Sequence, residues 1–329
     1  MPFGISLQAG VFILTALLTI ITGLAALPLL RKIKFGQTIR DDGPSSHLVK
    51  EGTPTAGGMI FLIPLILAGV FFARLYPKII PLILATLLFG AVGFADDMIK
   101  IRKHSKNGLR AAQKMFLLLI ISVIYTIYET FIAGSGTDMI IPFAGMDQTI
   151  SLPWWLYVPL IIFVFISTTN AVNLTDGVDG LASGVTLTVF VFLAIVAMTV
   201  AEWTGNLIFS AAMAGCCLGF LAFNLHPAKM FMGDTGSLAL GGALAAVTIT
   251  MKIPWIILIA GFVYVIEALS VVIQVVSFKS TGRRVFKMTP IHHHFELSGW
   301  KENTIVAVFV LATVAFAIAG LAVLRINVF

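Results

Sequence analysis

The chain is 329 residues long, 59% hydrophobic and only 11% charged, with a mean hydropathy of +1.02. A soluble fold of this size has no place for so much apolar surface, which excludes a soluble enzyme, a nucleic-acid-binding domain and a disordered chain. The net charge of +6 and the isoelectric point near 9.4 are therefore assigned to basic cytoplasmic loops, not to a nucleic-acid partner.

At about 20 residues per bilayer crossing, the apolar content suffices for roughly nine or ten transmembrane helices. Apolar runs at 7–30, 58–73, 79–95, 111–130, 154–169, 181–201, 207–223, 237–251, 255–277 and 304–324 predict ten. The fold class is thus an all-α integral membrane protein, one polytopic domain over 1–329. The first run lacks a charged leader and is longer than a signal-peptide core, so it reads as a retained helix. Between the fourth and fifth runs, Gly134, Gly136 and Gly145 separate short alternating segments around Ile140 and Ile150, which predicts a small hairpin outside the membrane. Cys216 and Cys217 are adjacent inside the seventh run and cannot staple distant segments, so they are packing residues.

Orientation follows from the basic residues of alternate loops. One set of loops holds sixteen Lys and Arg, in clusters around Lys50, Lys103 and Arg284; the other holds only Arg74, Lys78, Lys252 and Arg325. The rich set is cytoplasmic and both termini lie outside. Ten of the 15 acidic residues fall on that same cytoplasmic face, so the chemistry is sought there. Glu267 alone sits deep in a predicted helix.

Five segments on this face carry chemical character. Asp96 and Asp97 close the third run; adjacent carboxylates at a helix C-terminus oppose the helix dipole and repel each other, which a divalent cation relieves. A solvated helix end is the plainer alternative. Asn170, Asn173, Asp176 and Asp179 recur every third residue in NAVNLTDGVDGLASG, where Gly177 and Gly180 let a ligand approach the backbone; the same residues are also ordinary turn formers. In FMGDTGS, before the eighth run, Gly233 and Asp234 either cap a helix or bind a phosphate and its counter-cation. Phe231, in so polar a loop, offers a platform for a base. The first cytoplasmic loop sets His47, Lys50, Thr53 and Thr55 beside Gly57 and Gly58, a phosphate-binding composition that is not a P-loop. His292, His293 and His294 cannot all face one metal from a regular helix, so contacts to sugar or phosphate oxygens are the better reading. Convergence of these loops points to a Mg²⁺-dependent site for a phosphorylated, water-soluble substrate at the membrane surface.

The motifs GPSSHLVKEGTPTAGG, GFADD, NAVNLTDGVDGLA, FMGDTGS and PIHHHFELSGW occur in this order, and over essentially its whole length the chain closely resembles the phospho-N-acetylmuramoyl-pentapeptide transferases, within the polyprenyl-phosphate hexosamine-1-phosphate transferase superfamily. Ala56 departs from the Met common in the TPT-x-GG segment. The resemblance implies transfer of phospho-MurNAc-pentapeptide from UDP-MurNAc-pentapeptide to undecaprenyl phosphate, giving lipid I and UMP in peptidoglycan biosynthesis. It also implies Mg²⁺ as cofactor, ten helices, a ninth helix bent out beside a lipid groove, a homodimer, and a bacterial inner-membrane location. Residue by residue, it makes Asp234 the principal metal ligand with Asp96 and Asp97 beside it. Lys50, Thr55, Asn173, Asp176, Asp179, Asn224, Phe231 and Gly233 fall in the nucleotide pocket, Phe231 stacking on uracil. His293, flanked by His292 and His294, belongs to the substrate site, and Lys114 matches a buried functional lysine.

Under that reading the lipid phosphate attacks the phosphorus bonded to the sugar directly; a covalent aspartyl-phosphate through Asp96 or Asp234 is the competing route. Two other readings stand beside it: a polyprenyl-phosphate GlcNAc-1-phosphate transferase, less compatible with the three histidines, and a nucleotide-sugar or ion transporter, for which Glu267 and Gln274 would be the midplane polar residues.

Overall fold

The computed structural model describes residues 6–32, 52–55, 57–103 and 107–326; the expectation for Lys50 falls outside these. The chain is helical almost throughout: α1 (Leu7–Lys32), α2 (Gly58–Phe72), α3 (Ile79–Arg102), α4 (Ala111–Ile127), α5 (Trp154–Thr175), α6 (Leu181–Ala197), α7 (Thr204–Asn224), α8 (Gly233–Thr250), α9 (Ile257–Ala260), α10 (Phe262–Thr281), α11 (Ile291–Glu296) and α12 (Glu302–Val323). Each of the ten predicted runs coincides with helix. Among the described residues, seven helices are long and apolar enough to cross a membrane: α1, α3, α4 with the π-helical turn that extends it, α5, α7 with the short 3-10 turn before it, α10 and α12. The helices α2 and α6 are apolar but shorter, with 15 and 17 residues.

Three boundaries differ from expectation in ways that matter for the site. The helix α3 runs on to Arg102, so Asp96 and Asp97 lie within it and not beyond its end, with Lys100 and Arg102 in the last turn to answer the dipole. The helix α5 reaches Thr175, which puts Asn170 and Asn173 on a helix and Asp176 at its C-cap. The eighth helix opens at Gly233, so Asp234 stands in its first turn. The ninth run is broken: α9 ends at Gly261, and α10 buries only Val263, Tyr264, Glu267 and Ser270, all in its first half.

The core helix is α8, in which every residue from Thr235 to Ile249 is buried. It packs on α3 and α5, while α7 packs on α1 and α6. Small residues set these approaches: a Cβ on Gly93 of α3 would overlap the Asp234 carbonyl, and one on Gly215 or Gly219 of α7 would overlap carbonyls of α1. Where lipid removes the hydrophobic drive for helix association, such close backbone contact is what holds helices together. Several buried hydroxyls are satisfied within their own helices, as with Thr15 to Val11, Thr86 to Leu82 and Ser122 to Leu118. Outward faces of α1, α10 and α12 are apolar, with Leu17, Leu24, Val276, Leu311 and Ile318 exposed.

The predicted hairpin is present. Strands β1 (Asp138–Ile140) and β2 (Thr149–Ser151) pair antiparallel with Met139 opposite Ile150. It is pinned beyond the C-terminal end of α8: Ile140 N–H donates to Lys252 O at 2.9 Å, Trp255 Nε1–H to Ile140 O at 2.8 Å, and Lys252 Nζ lies 3.2 Å from Asp138. The Ser151 hydroxyl and then Lys252 hold the Asp138 carboxyl below the usual carboxylate range. Asp234 sits at the opposite end of α8, about 27 Å away at 1.5 Å per residue.

Candidate active site

Three carboxylates from two helices converge at the N-terminal end of α8. One ligand atom from each of Asp96, Asp97 and Asp234 lies within 4.8 Å of the others. Each is held differently. Asp97 faces the first turn of α8: its Oδ1 accepts Asp234 N–H at 3.1 Å, and its Oδ2 accepts Thr235 N–H at 2.9 Å and the Thr235 hydroxyl at 2.6 Å. Met232, which precedes α8, offers no side-chain cap, so Asp97 caps the helix from α3. Asp96 accepts Leu109 N–H at 2.7 Å on Oδ1, and its Oδ2 lies 2.6 Å from Lys100 Nζ. Asp234 receives Lys100 at 2.8 Å and Lys114 at 3.1 Å on Oδ2, and the Asn173 amide at 2.7 Å on Oδ1. That amide also reaches Ser237 Oγ at 2.8 Å.

This donor set fits a small, hard dication. Among the described residues, three carboxylates face two ammonium groups, and all six donor atoms are oxygens, the ligand type that Mg²⁺ takes. Asp176 feels the same crowding: burial first, then the charges of Asp234, Asp97 and Asp179, push its carboxyl well above the usual range.

Gly233 adopts φ +72°, a left-handed conformation that delivers the chain into α8 and favours glycine. Phe231 is half-buried and makes no ring contact among the described residues; its backbone pairs with Pro54 O at 2.8 Å and Gly57 N at 2.9 Å, joining the FMGD segment to the first loop. Thr55 is buried there, its hydroxyl without a partner among the described residues. Asp179 accepts Ala228 N–H at 3.0 Å and lies 3.1 Å from His226 Nδ1, and Glu302 of α12 approaches the same ring nitrogen at 3.5 Å.

Two expected pocket residues are placed behind the surface. Asn224 is 3% exposed, its Oδ1 taking Gly180 N–H and the Ser183 hydroxyl while its amide donates to Met230 O. It therefore braces the DGVDG and FMGD segments and presents no free edge to a base. The three histidines point three ways: His292 inward to Glu267, His293 to Glu296 at 2.6 Å, and His294 to Lys287 N–H at 3.1 Å. The first is 0% exposed, so only His293 and His294 reach an open surface.

Sequence reading missed Lys100, although its i, i+4 spacing from Asp96 places both on one face of α3. It also missed His226 and Glu302, which carry no motif of their own, and gave no role to Thr235 and Ser237 inside FMGDTGS. Beside α10, a cavity of about 500 Å³ is lined by Val275, Phe278, Met288 and Leu297 together with Lys279, Arg284 and Lys287.

A family profile described as glycosyl transferase family 4 matches residues 79–252, the stretch from α3 to the end of α8 that holds all three carboxylates. The chain is 57% identical over 327 residues to a phospho-N-acetylmuramoyl-pentapeptide-transferase of Acetivibrio thermocellus, covering 99% of this chain and 98% of that protein. Proteins of the same description from Clostridium kluyveri and Desulforamulus reducens are 49% and 46% identical, covering 92% and 96% of this chain and 95% and 94% of theirs.

Proposed function

The chain belongs to the phospho-N-acetylmuramoyl-pentapeptide transferases of glycosyl transferase family 4, and we infer from the site that it carries out their reaction in peptidoglycan synthesis. It transfers phospho-MurNAc-pentapeptide from UDP-MurNAc-pentapeptide to undecaprenyl phosphate, forming lipid I and releasing UMP. The observation that carries the site assignment is the meeting of Asp96, Asp97, Asp234, Lys100 and Lys114 at the start of α8.

Asp234 with Asp96 would hold Mg²⁺, while Asp97 keeps α8 in place. When bound, Mg²⁺ supplies the positive charge that offsets repulsion between the two phosphates and steadies the departing UMP. A lipid phosphate with a second pKa near 6 is largely ionised at neutral pH, so it needs no general base. An oxygen of this phosphate attacks the phosphorus bonded to the sugar; the new P–O bond replaces the bridging P–O bond, whose oxygen leaves on UMP. Lys100 and Lys114 add charge at the same point, and His293 lies at the sugar side. Each of the three carboxylates already receives cations or N–H groups, which lowers its nucleophilicity and favours direct attack over an aspartyl-phosphate route. Phe231 stacks on the uracil, with Lys50, Thr55, Asn173, Asp176 and Asp179 around the nucleotide. The apolar and cationic cavity beside α10 suits the lipid phosphate acceptor.

The enzyme crosses the bacterial inner membrane ten times, with both termini outside, the acidic end of α8 in the cytoplasm and the hairpin external, and it works as a homodimer. Incubating purified protein with Mg²⁺, undecaprenyl phosphate and UDP-MurNAc-pentapeptide should give lipid I and UMP in equal amounts. A UMP burst with phosphorylated enzyme in the absence of lipid would overturn direct attack. A cysteine at Asp138 should react with an impermeant thiol reagent in whole cells; reaction only at Arg284 would reverse the orientation.

A further inference from the structure

We propose that Glu267 is a positioning residue for the nucleotide-sugar side of the reaction, acting through His292 on the DGVDG loop. Both side chains are 0% exposed, Glu267 on α10 and His292 on α11, with Oε1 and Nδ1 3.1 Å apart. A carboxyl group in a helix whose remaining faces are apolar is costly to keep unless it has a defined partner. Here that partner is one imidazole. The second Glu267 oxygen and His292 Nε2 are buried without partners among the described residues, so this single contact orients the ring.

The far edge of that ring rests on Gly177. A Cβ at this position would overlap His292 Nε2 and come within 2.8 Å of its Cε1. Gly177 does not adopt a left-handed φ, unlike Gly180 at φ +83°, so its backbone geometry does not call for glycine; the ring does. On one side of Gly177 is Asp176, whose carboxyl faces the charges of Asp234 and Asp97. Two residues on is Asp179, which holds Ala228 and His226. Displacing the ring therefore moves both loop carboxylates, while Lys100, Lys114 and the cavity beside α10 are left as they are.

The inference rests on the functional reading above. Its test uses the full chain in detergent and measures UDP-MurNAc-pentapeptide affinity by calorimetry, the KM for undecaprenyl phosphate, and the melting temperature. Glu267→Gln keeps an oxygen to accept from His292 and should bind the nucleotide within about threefold of the unaltered protein. Glu267→Leu should weaken that binding about tenfold or more, the scale on which misplacement of a positioned group acts, with the lipid KM unchanged within about twofold. Because Glu267→Leu leaves a buried imidazole alone and can fail to fold, Gly177→Ala is the companion: it pushes the ring from the other side and should give the same nucleotide-specific loss. Combining the two should add little to either. Unchanged nucleotide affinity in folded Gly177→Ala would overturn the proposal, as would equal losses for both substrates. Failure of the unaltered protein to bind UDP-MurNAc-pentapeptide would overturn the functional reading itself and this inference with it.

Discussion

Asp97 and Asp234 are both acidic and adjacent in space, yet their substitutions should fail in different ways. Asp97 receives three hydrogen bonds from the start of α8, at 3.1, 2.9 and 2.6 Å. In Asp97→Asn one oxygen becomes an NH₂ group that confronts a backbone N–H, donor against donor. Loss of a hydrogen bond to a charged group costs about 1.5–3 kcal/mol, and loss of a negative charge at a helix N-terminus about 0.3–1 kcal/mol, so the variant should be destabilised by roughly 2–4 kcal/mol. Its melting temperature in detergent should fall by on the order of 5 °C or more, and its lost turnover should not return when Mg²⁺ is raised. Asp234→Asn removes no cap; it should melt close to the unaltered protein while losing most turnover. Thermal melting and a Mg²⁺ titration of activity, run side by side on both variants, decide the matter. An Asp97→Asn protein that melts normally and recovers activity at high Mg²⁺ would make Asp97 a metal ligand and refute the capping argument.

Gly93→Ala should lower kcat/KM by about 100-fold, because the added methyl drives α3 away from the Asp234 carbonyl and misplacement of about 1 Å has that effect; normal kinetics would show that the seam between α3 and α8 is compliant. Phe231→Ala should weaken UDP-MurNAc-pentapeptide binding by roughly 5- to 150-fold, the equivalent of about 1–3 kcal/mol for stacking on a base, with Mg²⁺ affinity little changed; a lowered melting temperature with unchanged affinity would make the ring a packing residue. Lys100→Ala should slow turnover yet tighten Mg²⁺ binding, since it removes a cation that contacts both Asp96 and Asp234, and weaker Mg²⁺ binding would contradict the assigned ligands. Asp138 is held below the usual carboxylate range, so its contribution to hairpin stability is complete at neutral pH and is lost only as pH falls through that lowered pKa. Asp138→Asn should abolish that acid-side loss, read as hydrogen exchange at Ile140.

What was legible in the sequence was whatever depends on short range. Apolar runs gave the helices, and glycines around two alternating segments gave the hairpin, because both patterns are complete within a few tens of residues. The acidic residues were legible one motif at a time. That Asp97 caps the helix beginning at Gly233 was not, since 137 residues separate it from Asp234 and the contact depends on how closely α3 approaches α8. Helix ends were also misjudged where polar residues continue a helix into the site: α3 and α5 both run past their apolar stretches, carrying Asp96, Asp97 and Asn173 with them. The burial of His292 and Asn224 was hidden for a related reason. His292 sits in a polar string that reads as accessible and Asn224 closes an apolar run toward the loops, and only the tertiary partners Glu267 and Ser183 show that they face inward.

Shielding of α8 has a consequence for how chains of this kind are mapped onto a bilayer. A helix surrounded by other helices never meets lipid and has no need of a lipid-like composition, so α8 can open on GDTGS and run on through glycine and alanine. It is accordingly absent from the seven helices that length and apolarity alone would select. Omitting a single crossing inverts the sidedness of everything after it, and His293 would then be drawn across the bilayer from Asp234. In the ten-crossing arrangement proposed above, the helix with the faintest membrane signature fixes the parity of the whole chain.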